Sequence, residues 1–249
     1  MVTIRYKNLY KKSKSLRRET VDLMTENNGS HFGGSLSIIE LLISLYDIIL
    51  KPEDKFILSK GHACFPLYVL LRKAGYNPKI LAHPDIDIKN GIYATTGSLG
   101  HGICLGIGMA KAKKIKGEKG KIYVLAGDGE AQEGTTWESL LRAPLWDLDN
   151  LVVCFDFNGI QGSGMVDEIM PVKRNLKAVA KTSGWSISEI NGHNYKQIIP
   201  ALRKKDYGKP RMIIANTIKG KGISFMENNP EWHSKVPTQE ELKKIYKEL

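Results

Sequence analysis

Cysteine is scarce in this chain and paired nowhere. Cys64, Cys104 and Cys154 are the three present among 249 residues. None belongs to a CxxC pair, so neither a disulfide framework nor a thiolate zinc site is available. They are expected to act as small core residues in a reducing, cytoplasmic setting. Long apolar runs are missing as well. The longest, Leu36 to Leu50, is interrupted by Glu40 and Asp47 and is too short to span a bilayer, so no membrane partner is expected. The stretch Met1–Thr20 is basic and has no apolar segment of signal-peptide length, which argues against export. Repeats, low-complexity tracts and Pro/Gly/Ser-rich linkers are absent too. Nothing therefore divides residues 1–249, and one α/β domain near the upper end of the single-domain range is the expectation.

What the chain has in quantity is lysine. The formal net charge is +11, spread over positions such as Lys11, Lys12, Lys14, Lys111, Lys113, Lys114, Lys204 and Lys205. Charge of this kind suits nucleic acid, anionic substrates or an acidic partner. No stripe of lysines interleaved with exposed aromatics is evident, however, so no nucleic-acid groove is expected. A solvated surface is the plainer reading, and a basic binding module is the non-enzymatic alternative.

Helical periodicity runs through residues 6–26, 36–50, 64–74, 101–116, 132–145, 173–182, 194–204 and 238–248. Between these segments lie the short β-rich runs KFILS, KIYVLA, LVVCFDF, WSISEI and MIIANT. The alternation predicts a parallel sheet with helices on both faces. Glycine clusters follow several of these runs, which is where open α/β sheets bind ligands. Glycine alone marks only a turn. Here GSHFGGS, SKGHA, TTGSLGHG and AGDGEAQEG also carry a histidine or an acid, and IKGKG carries two lysines.

The strongest constellation is Gly127-Asp128-Gly129 after one strand and Asn158 after the next. In a parallel sheet these strand ends lie side by side. A hard cation takes oxygen ligands and shares them with phosphates. Asp128, the amide oxygen of Asn158 and a nearby carbonyl would leave room for two phosphate oxygens and a water. The glycines admit close backbone approach, and a helix starting near Ala131 would aim its N-terminal dipole at the phosphate.

GDG with an asparagine at this distance is similar to the thiamine diphosphate fingerprint. The wider set, SHFGG, SKGHA, HP, TTGSLGHG, GDGEAQEG, FNGIQ and KGKG with a later WH, resembles the N-terminal domain of transketolases from Asn28 to Pro237. The resemblance implies a thiamine-diphosphate-binding fold with Mg²⁺, or Ca²⁺ or Mn²⁺ in its place. Its metal ligands would be Asp128, Asn158 and the carbonyl of Ile160. The cofactor would be contacted by His62, Gly97, Ser98, Leu99, Gly127, Asp128, Gly129, Glu130, Asn158, Ile160, Lys219 and His233. His31, His83 and His233 would meet the sugar, as neutral-pH proton relays or donors to an oxyanion. Glu133 and Glu138 would join an acidic cluster between subunits, with Trp137 packing between them. His101 is expected to begin a helix, and His193 to be an ordinary hydrogen-bonded residue.

The implied activity is two-carbon ketol transfer from a ketose, or its phosphate or an analogue, to an aldose, as in the pentose phosphate reactions. The family's pyrimidine-binding and C-terminal domains find no match here. A separate C-terminal subunit in an α₂β₂ assembly is therefore expected. Phe32, where many relatives have proline, and Ser35 alter the wall near His31, so an unusual sugar such as a sulfosugar or branched ketose is open. The rival activities are those of a 1-deoxyxylulose-5-phosphate synthase and a 2-oxo acid dehydrogenase α chain. SKGHA, TTGSLGHG and WHSKVP favour transketolase.

Overall fold

The computed structural model describes residues 6–249; residues 1–5, which open the basic N-terminal stretch, lie outside the described residues. The helices are α1 (Tyr6–Glu26), α2 (Phe32–Leu36), α3 (Ile39–Ser44), α4 (Phe65–Lys73) and α5 (His101–Ile115). They continue with α6 (Gly134–Leu145), α7 (Val166–Ile169), α8 (Lys173–Ser183), α9 (Tyr195–Arg203) and α10 (Gln239–Glu248). The strands are β1 (Lys55–Leu58), β2 (Ile122–Gly127), β3 (Leu151–Phe157), β4 (Ile160–Gln161), β5 (Gly164–Met165), β6 (Ser186–Asn191) and β7 (Arg211–Asn216).

Five strands form a parallel sheet in the order β1-β2-β3-β7-β6, while β4 and β5 make a small separate hairpin. Alternate residues of each strand serve opposite layers, as a two-residue side-chain period requires. Phe56, Leu58, Tyr123, Leu125, Val152, Cys154 and Ile213 pack under α1, α3, α4 and α9. Ile57, Ile122, Val124, Val153, Phe155, Met212 and Ile214 pack under α5, α6 and α8. Burial on both faces explains why these strands read as continuous apolar runs.

The connections explain where a crevice opens. The chain steps from β1 to β2 to β3 with α5 and α6 on one face, skips one place to β6, and comes back through α9 to fill the gap with β7. A right-handed crossover running backwards must put its helix on the opposite face, and α9 lies there. The reversal separates the loops after β3 and β7, which carry Asn158 and Lys219, and ligands bind at such a switch point.

Three expectations need correction. The segment expected as one helix over 36–50 starts at Phe32 and is broken at Ser37–Ile38, and its last turn, Leu45–Ile49, widens to a π-helix. The break has a polar cause: Ser37 Oγ donates to Gly34 O (3.0 Å) and to Asp156 Oδ2 (2.7 Å). Counted from Phe32, the segment has the length of a short membrane span, with a mean hydropathy of 1.6, but 78% of it is buried inside the protein. The helix after the GDG turn starts at Gly134, not near Ala131, because Gly129–Gln132 first forms a 3₁₀ turn capped by Asp128. Cys104, expected in the core, is exposed on α5, whereas Cys64 and Cys154 are buried.

Candidate active site

A cleft of about 350 Å³ opens beyond the carboxyl ends of β2 and β3. Its walls include Lys60, His62, Leu99, Asp128, Asn158 and Lys219. Gly127 pairs with Asp156 in the sheet register, so the residues just past the two strands, Asp128 and Asn158, are brought together as the parallel order implied.

Asp128 is 3% exposed. Its Oδ1 accepts the Gly129 amide (2.9 Å) and its Oδ2 the Gly159 amide (2.7 Å). Burial, and then the neighbouring Asp156, push its carboxyl up from 3.8 to about 6. Asn158 donates through Nδ2 to Asp156 Oδ2 (2.9 Å), which turns its Oδ1 to the Ile160 amide (3.2 Å). The Ile160 carbonyl accepts Lys219 Nζ at 2.9 Å, so a cation already sits on this oxygen. Each of the three residues keeps an acceptor lone pair free, and all their donor atoms are oxygens. Among the described residues no group of three or more His, Cys, Asp or Glu side chains is arranged to hold a metal. The donor set therefore fits a hard cation sharing its shell with phosphate, and does not fit zinc.

Two residues not singled out from sequence lie beneath the cleft. Lys60 and Asp156 form an ion pair at 2.5 Å with 1% and 0% side-chain exposure. Burial alone would raise the Asp156 carboxyl, but Lys60 and the hydroxyls of Thr217 and Ser37 outweigh it and hold it below the carboxylate range. Asp156 interrupts the apolar run LVVCFDF. A charge at a buried strand position needs a cation, and that was the available signal.

Lys219, 1% exposed, also meets His233 Nδ1 at 2.9 Å. Burial, followed by the like charge of Lys60, lowers its ammonium to about 8. The imidazoles run outward from here. His62 and His233 lie 5.8 Å apart between ring centroids, His31 lies 5.2 Å from His62 and 5.4 Å from His233, and His83 lies 6.4 Å from His31. The four loops thus converge. Desolvation first, and then neighbouring charges, bring His31 down to about 4 and His233 to about 3, and hold His62 well below 6.5. In the unliganded chain these three rings are neutral at neutral pH. They are built to give and accept hydrogen bonds rather than to titrate there.

His31 has a left-handed backbone (φ 65) with Ser30 Oγ at 2.8 Å from its Nδ1. Gly97, at φ 143, runs so close to His83 that a Cβ would lie 3.0 Å from its ring.

The remaining expected residues divide. Leu99, Gly127, Gly129 and Glu133 line the cleft. Glu130 contributes to the wall, but its carboxylate is turned inward to Ser59 Oγ (2.5 Å) and to the amides of Gly100 and Gly127 (both 2.9 Å). The expectation that this carboxylate meets cofactor is corrected: it ties three loops together. Ser98 is exposed and turned to His101 Nδ1 at 3.2 Å. Glu138 lies outside the cleft, in a groove with Leu141 and Leu145 on the outer face of α6. Trp137 packs against the core beneath. His101 does begin α5, and His193 is hydrogen-bonded through both ring nitrogens.

Comparisons with known proteins agree with this geometry. Residues 10–249 match the family model described as "Transketolase, thiamine diphosphate binding domain". One of the two subunits of an apulose-4-phosphate transketolase, from Actinobacillus succinogenes, is 38% identical, over 98% of this chain and 96% of its own length. A 6-deoxy-6-sulfo-D-fructose transketolase subunit of Clostridium sp. strain MSTE9 is 37% identical, over 94% of this chain and 93% of its own length. The crystal structure of transketolase from Campylobacter jejuni superposes with a TM-score of 0.83 at 30% identity, over 96% of this chain but 42% of that one. Fold and cleft are those of a thiamine-diphosphate-binding domain. The chain belongs to the transketolase family and corresponds to its N-terminal part.

Proposed function

We propose that this chain is the diphosphate-binding subunit of a two-chain transketolase, which moves a two-carbon ketol unit from a ketose or ketose phosphate to an aldose. The observation that carries the reading is one cleft in which the oxygens of Asp128, Asn158 and Ile160 meet a line of neutral imidazoles. When bound, thiamine diphosphate supplies a carbon nucleophile and an electron sink for breaking a carbon–carbon bond. Asp128, Asn158 and the Ile160 carbonyl would hold Mg²⁺, with Ca²⁺ or Mn²⁺ as substitutes. Gly129, His62, Lys219 and the charge of Lys60 would receive the diphosphate, and Gly97 and Leu99 the remainder of the cofactor. His31, His83 and His233 would hydrogen-bond the sugar and stabilise developing negative charge on oxygen.

The partner would be a separate subunit carrying the pyrimidine-binding domain, in an α₂β₂ assembly. Near-complete coverage of two relatives named as subunits supports this, set against 42% coverage of the Campylobacter chain. So do Leu141 and Leu145, 56% and 72% exposed beside Glu138, because exposed apolar side chains in a row mark a contact face. Glu133 and Glu138 would face the neighbouring subunit there. The relatives' named sugars favour a branched or sulfonated ketose over an ordinary pentose phosphate, with the complex working in the cytoplasm.

The test combines the purified chain with the product of the adjacent gene. Transfer from apulose 4-phosphate, 6-deoxy-6-sulfofructose and xylulose 5-phosphate is compared with decarboxylation of pyruvate. Ketol transfer to an aldose is expected, dependent on both subunits. Pyruvate decarboxylation without transfer would replace the reading with another thiamine diphosphate enzyme.

A further inference from the structure

The loop that delivers Lys219 to the cleft is held from behind by three side chains that touch neither cleft nor cofactor. Glu40, on the first turn of α3, is 3% exposed. It accepts from Arg17 of α1 (2.8 Å) and faces His193 Nδ1 at 2.9 Å. Arg17 Nε donates to the Lys221 carbonyl (2.7 Å), and His193 Nε2 receives the Ile218 amide (2.9 Å). One buried carboxylate therefore anchors two arms that grip the backbone on either side of Lys219.

The protonation of His193 follows from its partners. A backbone N–H can only donate, so Nε2 must be bare, and the ring proton then sits on Nδ1 and points at Glu40. Arg17 compensates the carboxylate. The grip has a load to bear. Lys219 is a buried cation beside a second one, Lys60, and a flexible lysine stem would carry its charge to water if the backbone beneath were free.

We infer that His193, with Glu40 and Arg17 behind it, is a positioning residue: its Nδ1–H tautomer fixes the Ile218–Lys221 backbone so that Lys219 stays in the diphosphate end of the cleft. The consequence for cofactor affinity rests on the function proposed above, whereas the pinning of the loop does not.

The experiment compares wild type, His193→Ala and His193→Gln in the two-subunit complex. Gln retains an acceptor for the Ile218 amide and a donor for Glu40; Ala retains neither. Hydrogen exchange followed by mass spectrometry should show faster exchange in the peptide spanning 217–222 for His193→Ala, restored protection for His193→Gln, and no change across β2. Thiamine diphosphate affinity should fall about 10–100-fold in His193→Ala, the scale on which outer partners of ligating groups act. Turnover at saturating cofactor should fall by less, and Gln should recover most of the affinity. In the wild-type chain, ¹⁵N NMR should show His193 protonated at Nδ1 and bare at Nε2.

Unchanged protection at 217–222 in His193→Ala, loosening spread equally into β2, or a proton on Nε2 would overturn the inference. If the wild-type complex bound no thiamine diphosphate, the proposed function would fall, and exchange and NMR would still decide the pinning. The tautomer measurement needs no variant, so a failure of His193→Ala to fold leaves the inference falsifiable.

Discussion

Replacing Asp128 by asparagine should stabilise the unliganded chain at pH 8 and destabilise it at pH 4. The carboxyl is raised from 3.8 to about 6, and a folded value above the unfolded one means that ionisation opposes folding. The penalty is absent below pH 3.8, grows between 3.8 and 6, and is complete above. At about 1.4 kcal/mol for each tenfold change in acidity, it reaches about 3 kcal/mol at pH 8. Asp128→Asn removes the charge but keeps one acceptor where two backbone amides, Gly129 and Gly159, now find one each. Leaving one unpaired costs about 1–2 kcal/mol. The variant should therefore be about 1–2 kcal/mol more stable at pH 8 and about 1 kcal/mol less stable at pH 4. Urea unfolding in the presence of chelator, at both pH values, reads this directly. A change of the same sign and size at both pH values would refute the account of Asp128 as a buried carboxylate lacking a cation.

Lys60→Met leaves Asp156 charged and buried without its cation, so it should cost about 3–5 kcal/mol in denaturant unfolding. Gly97→Ala places a methyl 3.0 Å from the His83 ring at φ 143; a loss of about 1–3 kcal/mol is expected, with a displaced His83 side-chain resonance. Acid should weaken the fold through the imidazoles. His31 and His233 have folded values of about 4 and about 3, so their contribution is complete above 6.5 and is lost as pH falls from there towards 3. A denaturation midpoint that stays level between pH 7 and 4 in an Asp128→Asn background would contradict it.

The five sheet strands were readable because burial on both faces leaves an apolar run with little interruption. The eight helical patterns correspond to helical segments because each has a solvated face. The β4–β5 hairpin is too short to carry a period, and no pattern in the apolar sequence marks the break at Ser37, since its cause is Asp156 in a strand 119 residues away. The site was legible where chemistry needs a residue type in a fixed place: Asp128 and Asn158 at adjoining strand ends, and histidines in glycine turns. It was illegible where the partner comes from another element. Glu130 sits inside a motif yet spends its carboxylate on Ser59, Gly100 and Gly127. Lys60 stands in SKGHA with nothing local to reveal that it pairs with Asp156. Cys104 faces outward because of the phase of α5, which four small or apolar neighbours do not fix.

The central claim is tested most directly by calorimetric titration of thiamine diphosphate with Mg²⁺ into the chain, alone and with the partner subunit, for wild type and Asp128→Ala. The account predicts metal-dependent binding by the wild-type complex, weaker binding by the chain alone, and loss of binding in Asp128→Ala. Absence of metal-dependent binding by wild type in both samples would contradict it.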